Sequence, residues 1–160
     1  MKKIIFSFSL FLISGIAFSQ GTKTNGTIYI DHPNIAVVLK SIQAYEKRDM
    51  VANAACFADT AKFWASGMSK SMPVKDAIKM WDGDFDFYTD IKLIPVGYPD
   101  YLAYDKDNEK TVQSWWTWSG KSKKTGKVLN ISCVQFDDFN PDGKIRFESL
   151  YGDFSKMEHK

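Results

Sequence analysis

From residue 34 to residue 46, apolar side chains recur three and four apart, at Ile35, Val38, Leu39, Ile42 and Tyr45. That spacing marks one face of an α-helix, with Asn34 placed to cap it and the charged run Glu46-Lys47-Arg48-Asp49 closing it. A second, shorter helix is expected from Met50 to Phe57. Ala58-Asp59-Thr60 then turns the chain into a strand from Ala61 to Ser66, with Asp59 hydrogen-bonding the turn. Pro73 suits the first turn of a third helix, along which Val74, Ala77, Ile78, Trp81, Phe85 and Tyr88 form one stripe. Beyond Asp90 the pattern changes to the two-residue alternation of strands, expected over 91–96, 101–104, 111–119, 128–136 and 144–151. The last three form a meander, joined by Lys121 to Lys127 and by Asp137 to Gly143, which contains the turn-forming Asn140-Pro141-Asp142-Gly143.

The amino terminus has a different character. Met1-Lys2-Lys3 precedes an apolar run from Ile4 to Ile13, and the small residues Ala17 and Ser19 stand just before Gln20. This is the pattern of a secretory leader cut after Ser19; the apolar run is shorter than the roughly 20 residues that span a bilayer. The chain is therefore expected to be exported, to a periplasm or to the medium, with no membrane anchor in its mature form. No cysteine lies in the leader, so lipoprotein processing is not indicated. Residues 20–33 read as a lead-in, apart from Ile28-Tyr29-Ile30, and residues 34–160 as one domain.

Charge narrows the partners. Lys2 and Lys3 fall in the leader, so the 21 basic residues drop to 19 against 19 acidic ones. A formally neutral domain lacks the sustained basic face that nucleic acid or an anionic membrane surface requires. Lys121, Lys123, Lys124 and Lys127 crowd one stretch, but among Ser122, Thr125 and Gly126 they read as a solvated hairpin loop. Cys56 sits in the small-apolar run Ala54-Ala55-Cys56-Phe57 and Cys133 alternates with Leu129 and Ile131, so they read as two buried free thiols, a disulfide being the alternative.

Three helices followed by a long meander, with Phe57-Ala58-Asp59-Thr60-Ala61 at the helix-to-strand junction and Asp142-Gly143-Lys144-Ile145 opening the last strand, resemble a known superfamily. The chain is similar to the SnoaL-like branch of the nuclear transport factor 2-like, or ketosteroid isomerase-like, proteins over about residues 34 to 155. The resemblance implies an α+β fold in which three N-terminal helices pack in a strongly curved antiparallel sheet, a cone-shaped half-barrel with an interior pocket. Members include isomerases, cyclases, dehydratases, hydrolases and modules that only bind or dimerise, so residues must decide the chemistry. The isomerase pattern places its helix tyrosine at Ser41, its base at Ala65 and its oxyanion-hole aspartate at Ser132. None of the three is retained, and ketosteroid isomerisation is not expected without a base.

The remaining candidates follow from strand alternation and the resemblance together. On the strand from Thr111, Ser114, Trp116 and Trp118 share one face, opposite Asn130 and Ser132 on the next, with Trp115 on the outer side. With Ser41, Tyr45, Phe63 and Ala65 they are expected to line an aromatic pocket for a small, partly apolar molecule. On the last strand, Arg146 and Glu148 are expected to face the same space. An enzymatic alternative is a cofactor-independent lyase, isomerase or hydrolase with Glu148 as general base, Arg146 holding an oxygen, and Tyr45 or Ser132 as donor. A further alternative is a dimeric interaction module with a filled cavity, and outward Trp115 suits a homodimer surface. The histidines, His32 and His159, stand near the ends of the mature chain, away from any such pocket. The acids at 82, 84 and 86 have Phe87 where a calcium loop needs glycine and Leu93 where it needs glutamate. Asp105, Asp107 and Glu109 meet Lys110 at the glycine place. Both sets read as solvated acids, and neither a metal nor a cofactor is implied.

Overall fold

The computed structural model describes residues 23–158; the expected leader and His159 lie outside that range. The chain runs β1 (Thr27–Tyr29), α1 (Pro33–Glu46), α2 (Met50–Ala54), β2 (Phe57–Ala65), β3 (Met72–Pro73), α3 (Val74–Phe87), β4 (Tyr88–Pro95), β5 (Asp100–Ala103), β6 (Lys110–Ser122), β7 (Val128–Phe139) and β8 (Ile145–Gly152). A single turn of 3-10 helix, Phe154–Lys156, follows. One large curved, unclosed sheet has the order β1-β5-β6-β7-β8-β2-β3, with β4 also paired to β6, and the three helices pack in its concavity. This is the expected α+β cone. The sheet is mixed rather than wholly antiparallel, because β2 and β8 pair in parallel. The two strands start side by side, where the Ile145 N–H donates to the Cys56 carbonyl at 3.0 Å.

Several boundaries differ from the sequence reading, each for a local reason. His32, not Asn34, caps α1: its Nδ1 accepts from the Asn34 N–H at 3.2 Å, while Pro33, lacking an N–H, occupies the first turn. The His32 ring also stacks on Tyr101, centroids 3.5 Å apart. The lead-in is therefore tied down, since β1 pairs with β5 through Ile28↔Leu102. Strand β2 begins at Phe57, four residues early, so Asp59 is an exposed strand residue with no side-chain partner among the described residues. Tyr88 leaves the helix stripe to open β4. Cys56 and Cys133 are free and buried.

The last strand departs most from simple alternation. Phe139 faces Ile145 and Asp138 faces Phe147, so Arg146 is an extra residue in β8 with no partner in β7. This bulge turns both Ile145, fully buried, and Glu148 inward. It leaves Arg146 exposed, its guanidinium 3.4 Å from Asp138 on the outer side. Arg146 therefore cannot join Glu148 in the interior, a correction to the alternation reading. Replacing Ile145 with alanine should cost about 2–5 kcal/mol in urea unfolding, whereas Arg146→Ala should stay within about 1 kcal/mol. Equal losses would place the bulge elsewhere.

Candidate functional site

Helices and sheet leave between them a cavity of about 130 Å³. Helix α1 turns Ser41, Ile42 and Tyr45 toward it, at the spacing that also buries Ile35 and Val38. Asn53 comes from α2, and Met80, Trp81 and Asp84 come from one face of α3. The sheet contributes Phe63 and Ala65 from β2, Leu93 from β4 and Trp118 from β6. Strand β7 adds Cys133 and Gln135, β8 adds Glu148 and Leu150, and Phe154 and Met157 close the carboxy-terminal side. No lysine, arginine or histidine is among these residues.

Of the residues expected from sequence, Ser41, Tyr45, Phe63, Ala65, Trp118 and Glu148 line the cavity. Trp116 and Ser114 face inward as expected but belong to the packed core beside it, the Trp116 indole N–H donating to Ser114 Oγ at 2.8 Å. Asn130 and Ser132 are on the wrong face. The β6–β7 ladder sets Trp116 opposite Cys133 and Ser114 opposite Gln135, and residues directly opposite share a face. Cys133 and Gln135 therefore take the places given to Asn130 and Ser132, which are exposed on the outer side. Ser132 cannot serve as a donor to the cavity. Trp115 is on the outer side, as expected, opposite Val134.

One polar chain crosses the cavity wall. The Trp118 indole N–H donates to the Tyr45 hydroxyl at 3.0 Å, and that hydroxyl donates to Asp84 Oδ2 at 2.8 Å. Burial, together with the neighbouring Asp84 charge, holds the Tyr45 hydroxyl well above its ordinary range. Burial pushes Asp84 up to about 6, against the lowering effect of the Tyr45 hydrogen bond. Asp84 is thus not the solvated acid that its neighbours are. Asp82 meets Arg48 at 2.6 Å outside the cavity, and Asp86 lies 3.6 Å from the same guanidinium. Helical spacing carried the signal, because Ala77, Trp81 and Asp84 stand at i, i+4 and i+7 on the buried face.

A second acidic feature lies on the sheet. Glu148 is directly across the β7–β8 ladder from Asp137, and both are buried. Asp137 Oδ2 accepts from Gln135 Nε2 at 2.8 Å, while Oδ1 meets no N–H or hydroxyl donor among the described residues. The Asp137 and Glu148 carboxyls interact directly with each other. Desolvation raises both groups, Asp137 well above the carboxylate range and Glu148 to about 7. Two adjacent carboxylates in a dry site cannot both ionise, so the pair keeps a proton near neutrality.

Asn53 completes the polar lining. Its Nδ2 donates to the Ser41 carbonyl and to Ser41 Oγ, both at 3.0 Å. A carbonyl only accepts, which fixes the orientation of the amide. Asn53 Oδ1 is then a buried acceptor without a donor among the described residues.

No family model and no curated protein matches the sequence. Solved structures do match. A protein with a ketosteroid isomerase-like fold from Catenulispora acidiphila, solved with trimethylamine, is 14% identical with a TM-score of 0.58, over 76% of this chain and 88% of that one. A nuclear transport factor 2-like protein of unknown function from Burkholderia pseudomallei is 16% identical with a TM-score of 0.62, over 79% and 95%. A candidate SnoaL-like polyketide cyclase from Shewanella denitrificans is 12% identical with a TM-score of 0.56, again over 79% and 95%. At such identities the likeness is one of fold. The chain has the nuclear transport factor 2-like fold, of which SnoaL-like proteins are one form.

The raised carboxyls give stability a definite pH slope. A carboxyl with a higher pKa folded than unfolded binds more protons in the native state, so stability falls as pH rises between the two values. For Glu148 that window runs from 4.5 to about 7, an effect on the order of 3 kcal/mol. Asp84 acts in the same direction between 3.8 and about 6. The melting temperature should therefore drop from pH 4.5 to pH 7, and Glu148→Gln should flatten much of that slope. A wild-type melting temperature that climbs through this window would contradict the assignment.

Proposed function

We propose that this chain, on its nuclear transport factor 2-like fold, is an exported domain that binds a small, partly apolar molecule in the cavity between helices and sheet. The observation that carries the reading is the cavity itself, walled by Phe63, Trp81, Leu93, Trp118 and Leu150, with Asp84, Glu148 and Asn53 set among them. An apolar enclosure with a few placed polar groups is the usual form of a small-molecule site. At about 130 Å³ it compares with the roughly 150 Å³ that hold benzene, which favours a compact ligand and disfavours a steroid. Export rests on the leader pattern of residues 1–19, and protein recovered outside the cytoplasm should begin at Gln20. A second copy of the chain is the proposed partner of the outer sheet face, where Trp115, Phe136 and Tyr151 gather.

A second reading, proton transfer, is favoured by the placement of Glu148, buried in an apolar wall that pushes its carboxyl up to about 7, where a general acid or base works best. In that reading Glu148 moves the proton and Asp137 holds its partner in place. Arg146 has no part, being outside, and Tyr45 donates to Asp84 unless a ligand displaces it.

Benzene-sized compounds screened by melting temperature and tryptophan fluorescence test the reading. A ligand at one hundred times its dissociation constant should add roughly 2.7 kcal/mol of stability. Trp81→Ala should weaken binding at least about tenfold, and Trp115→Ala should leave it unchanged. Equal losses from both would remove the cavity from consideration. With a substrate in hand, Glu148→Gln that keeps the ligand but loses turnover would favour the enzymatic reading.

A further inference from the structure

Acceptors dominate the polar groups of this cavity, and the one formal charge that its lining residues can carry near neutrality is negative. Glu148 and Asp84 line it, no lysine, arginine or histidine does, and Asn53 adds a buried oxygen with no donor among the described residues. Four of its donors already have protein partners: Trp118 on Tyr45, Tyr45 on Asp84, Gln135 on Asp137 and Asn53 on Ser41. The nearby cations are held outside, Arg48 by Asp82 and Asp86 and Lys92 by Glu46.

We infer that the molecule held here is a small organic cation, a protonated amine whose N–H groups meet the oxygens of Glu148, Asp84 and Asn53 while its hydrocarbon part lies against Phe63, Trp81 and Trp118. The inference rests on the binding reading above and names its ligand class. An ammonium supplies what the cavity lacks, several donors and a positive charge, and ionised hydrogen bonds are about twice as strong as neutral ones. Aromatic faces add attraction for a cation, and Phe63 and Trp81 meet edge to face with centroids 5.1 Å apart. An anion would face two carboxyls and no counter-charge.

Binding must then depend on pH in a definite direction. An ammonium prefers ionised carboxylates, so affinity rises as pH passes the values of about 6 for Asp84 and about 7 for Glu148. The other titratable groups around these two are Tyr45 and Glu46 on α1, Asp82 and Asp86 on α3, and Cys133 and Asp137 on β7. Arg48 follows α1, and Lys92 lies on β4. Burial raises Cys133 to about 11 and holds the Tyr45 hydroxyl well above its usual range, so neither ionises between pH 5 and pH 8; burial and the neighbouring Glu148 charge also raise Asp137. Arg48 remains charged, its pKa raised by the Asp82 hydrogen bond, and Asp82 is lowered by the same contact.

Calorimetric titration of the mature protein with benzylamine, benzyl alcohol and benzoate, which share a ring and differ in the charge of the head group, decides the matter. At pH 8 benzylamine, as its ammonium, should bind at least about tenfold more tightly than benzyl alcohol, and benzoate should not bind. Lowering the pH to 5 should weaken the amine about tenfold or more and leave the alcohol unchanged. Asp84→Asn and Glu148→Gln should each reduce amine affinity by a similar factor without reducing that of the alcohol, with melting curves showing that both variants fold. Wild-type pH dependence keeps the test decisive if either variant does not. Alcohol bound as tightly as amine, benzoate bound at all, or amine affinity indifferent to pH would overturn the cation inference while leaving small-molecule binding intact. Failure of all three probes to bind would count against both.

Discussion

Everything that faces the cavity from the sheet depends on the register of β6 against β7. The ladder runs without a shift from Thr111↔Asp138 to Lys121↔Val128, and a slip of one residue would turn every side chain of β7 to the opposite face. Cys133, Gln135 and Asp137 would be traded for Ser132, Val134 and Phe136. Strand β8 inherits the same frame, because Asp137 pairs with Glu148. The bulge at Arg146 absorbs one residue, so the apolar anchor Ile145 and the acid Glu148 can both point inward. Position in the ladder, rather than residue type alone, makes Glu148 a cavity residue and Arg146 a surface one.

Burying acids opposes folding unless something offsets it. An isolated buried carboxylate is among the least favourable groups a core can hold. Here the penalty is reduced in three ways: protonation at the Asp137–Glu148 pair, the amide hydrogen bond from Gln135, and the hydroxyl hydrogen bond from Tyr45 to Asp84. The surrounding apolar residues supply the rest, and the same apolar wall that stabilises the fold raises the pKa values. Stability and site chemistry are therefore coupled: any change that wets the cavity lowers both acids toward their ordinary values and gives the protein the pH profile of a conventional surface.

Much of this was legible in the sequence, and the failures share a cause. Helical and two-residue periodicities located every major element, since burying one face of each is what selects those residues. Parity within a strand was harder. Leu129, Ile131 and Cys133 alternate as a buried set, which already opposed placing Asn130 and Ser132 inside, but the expected placement followed the superfamily pattern instead. A bulge leaves no trace in a two-residue pattern, so alternation alone sets Arg146 and Glu148 on one face. Asp84 was obscured by its company, because Asp82 and Asp86 on either side are surface acids. Only the rotation of α3 separates it from them, and rotation is set by how Trp81 packs against Phe57 and Phe63.

The positions that matter most chemically are those where this chain departs from the isomerase pattern it resembles. Ser41 and Ala65, aligned with that pattern's tyrosine and base, do line the cavity, but neither ionises there. The acids stand instead on α3 and β8, so the cavity presents negative charge from different walls. A general base must reach a proton on its substrate at hydrogen-bond distance, and moving the carboxyl from one wall to another changes which atom of a bound molecule it meets. Shared fold at 12–16% identity therefore transmits a container and not a reaction. In this chain the ladder register, the bulge and the rotation of α3 turn three acids inward, Asp137, Glu148 and Asp84, where the isomerase pattern has its base on a different strand.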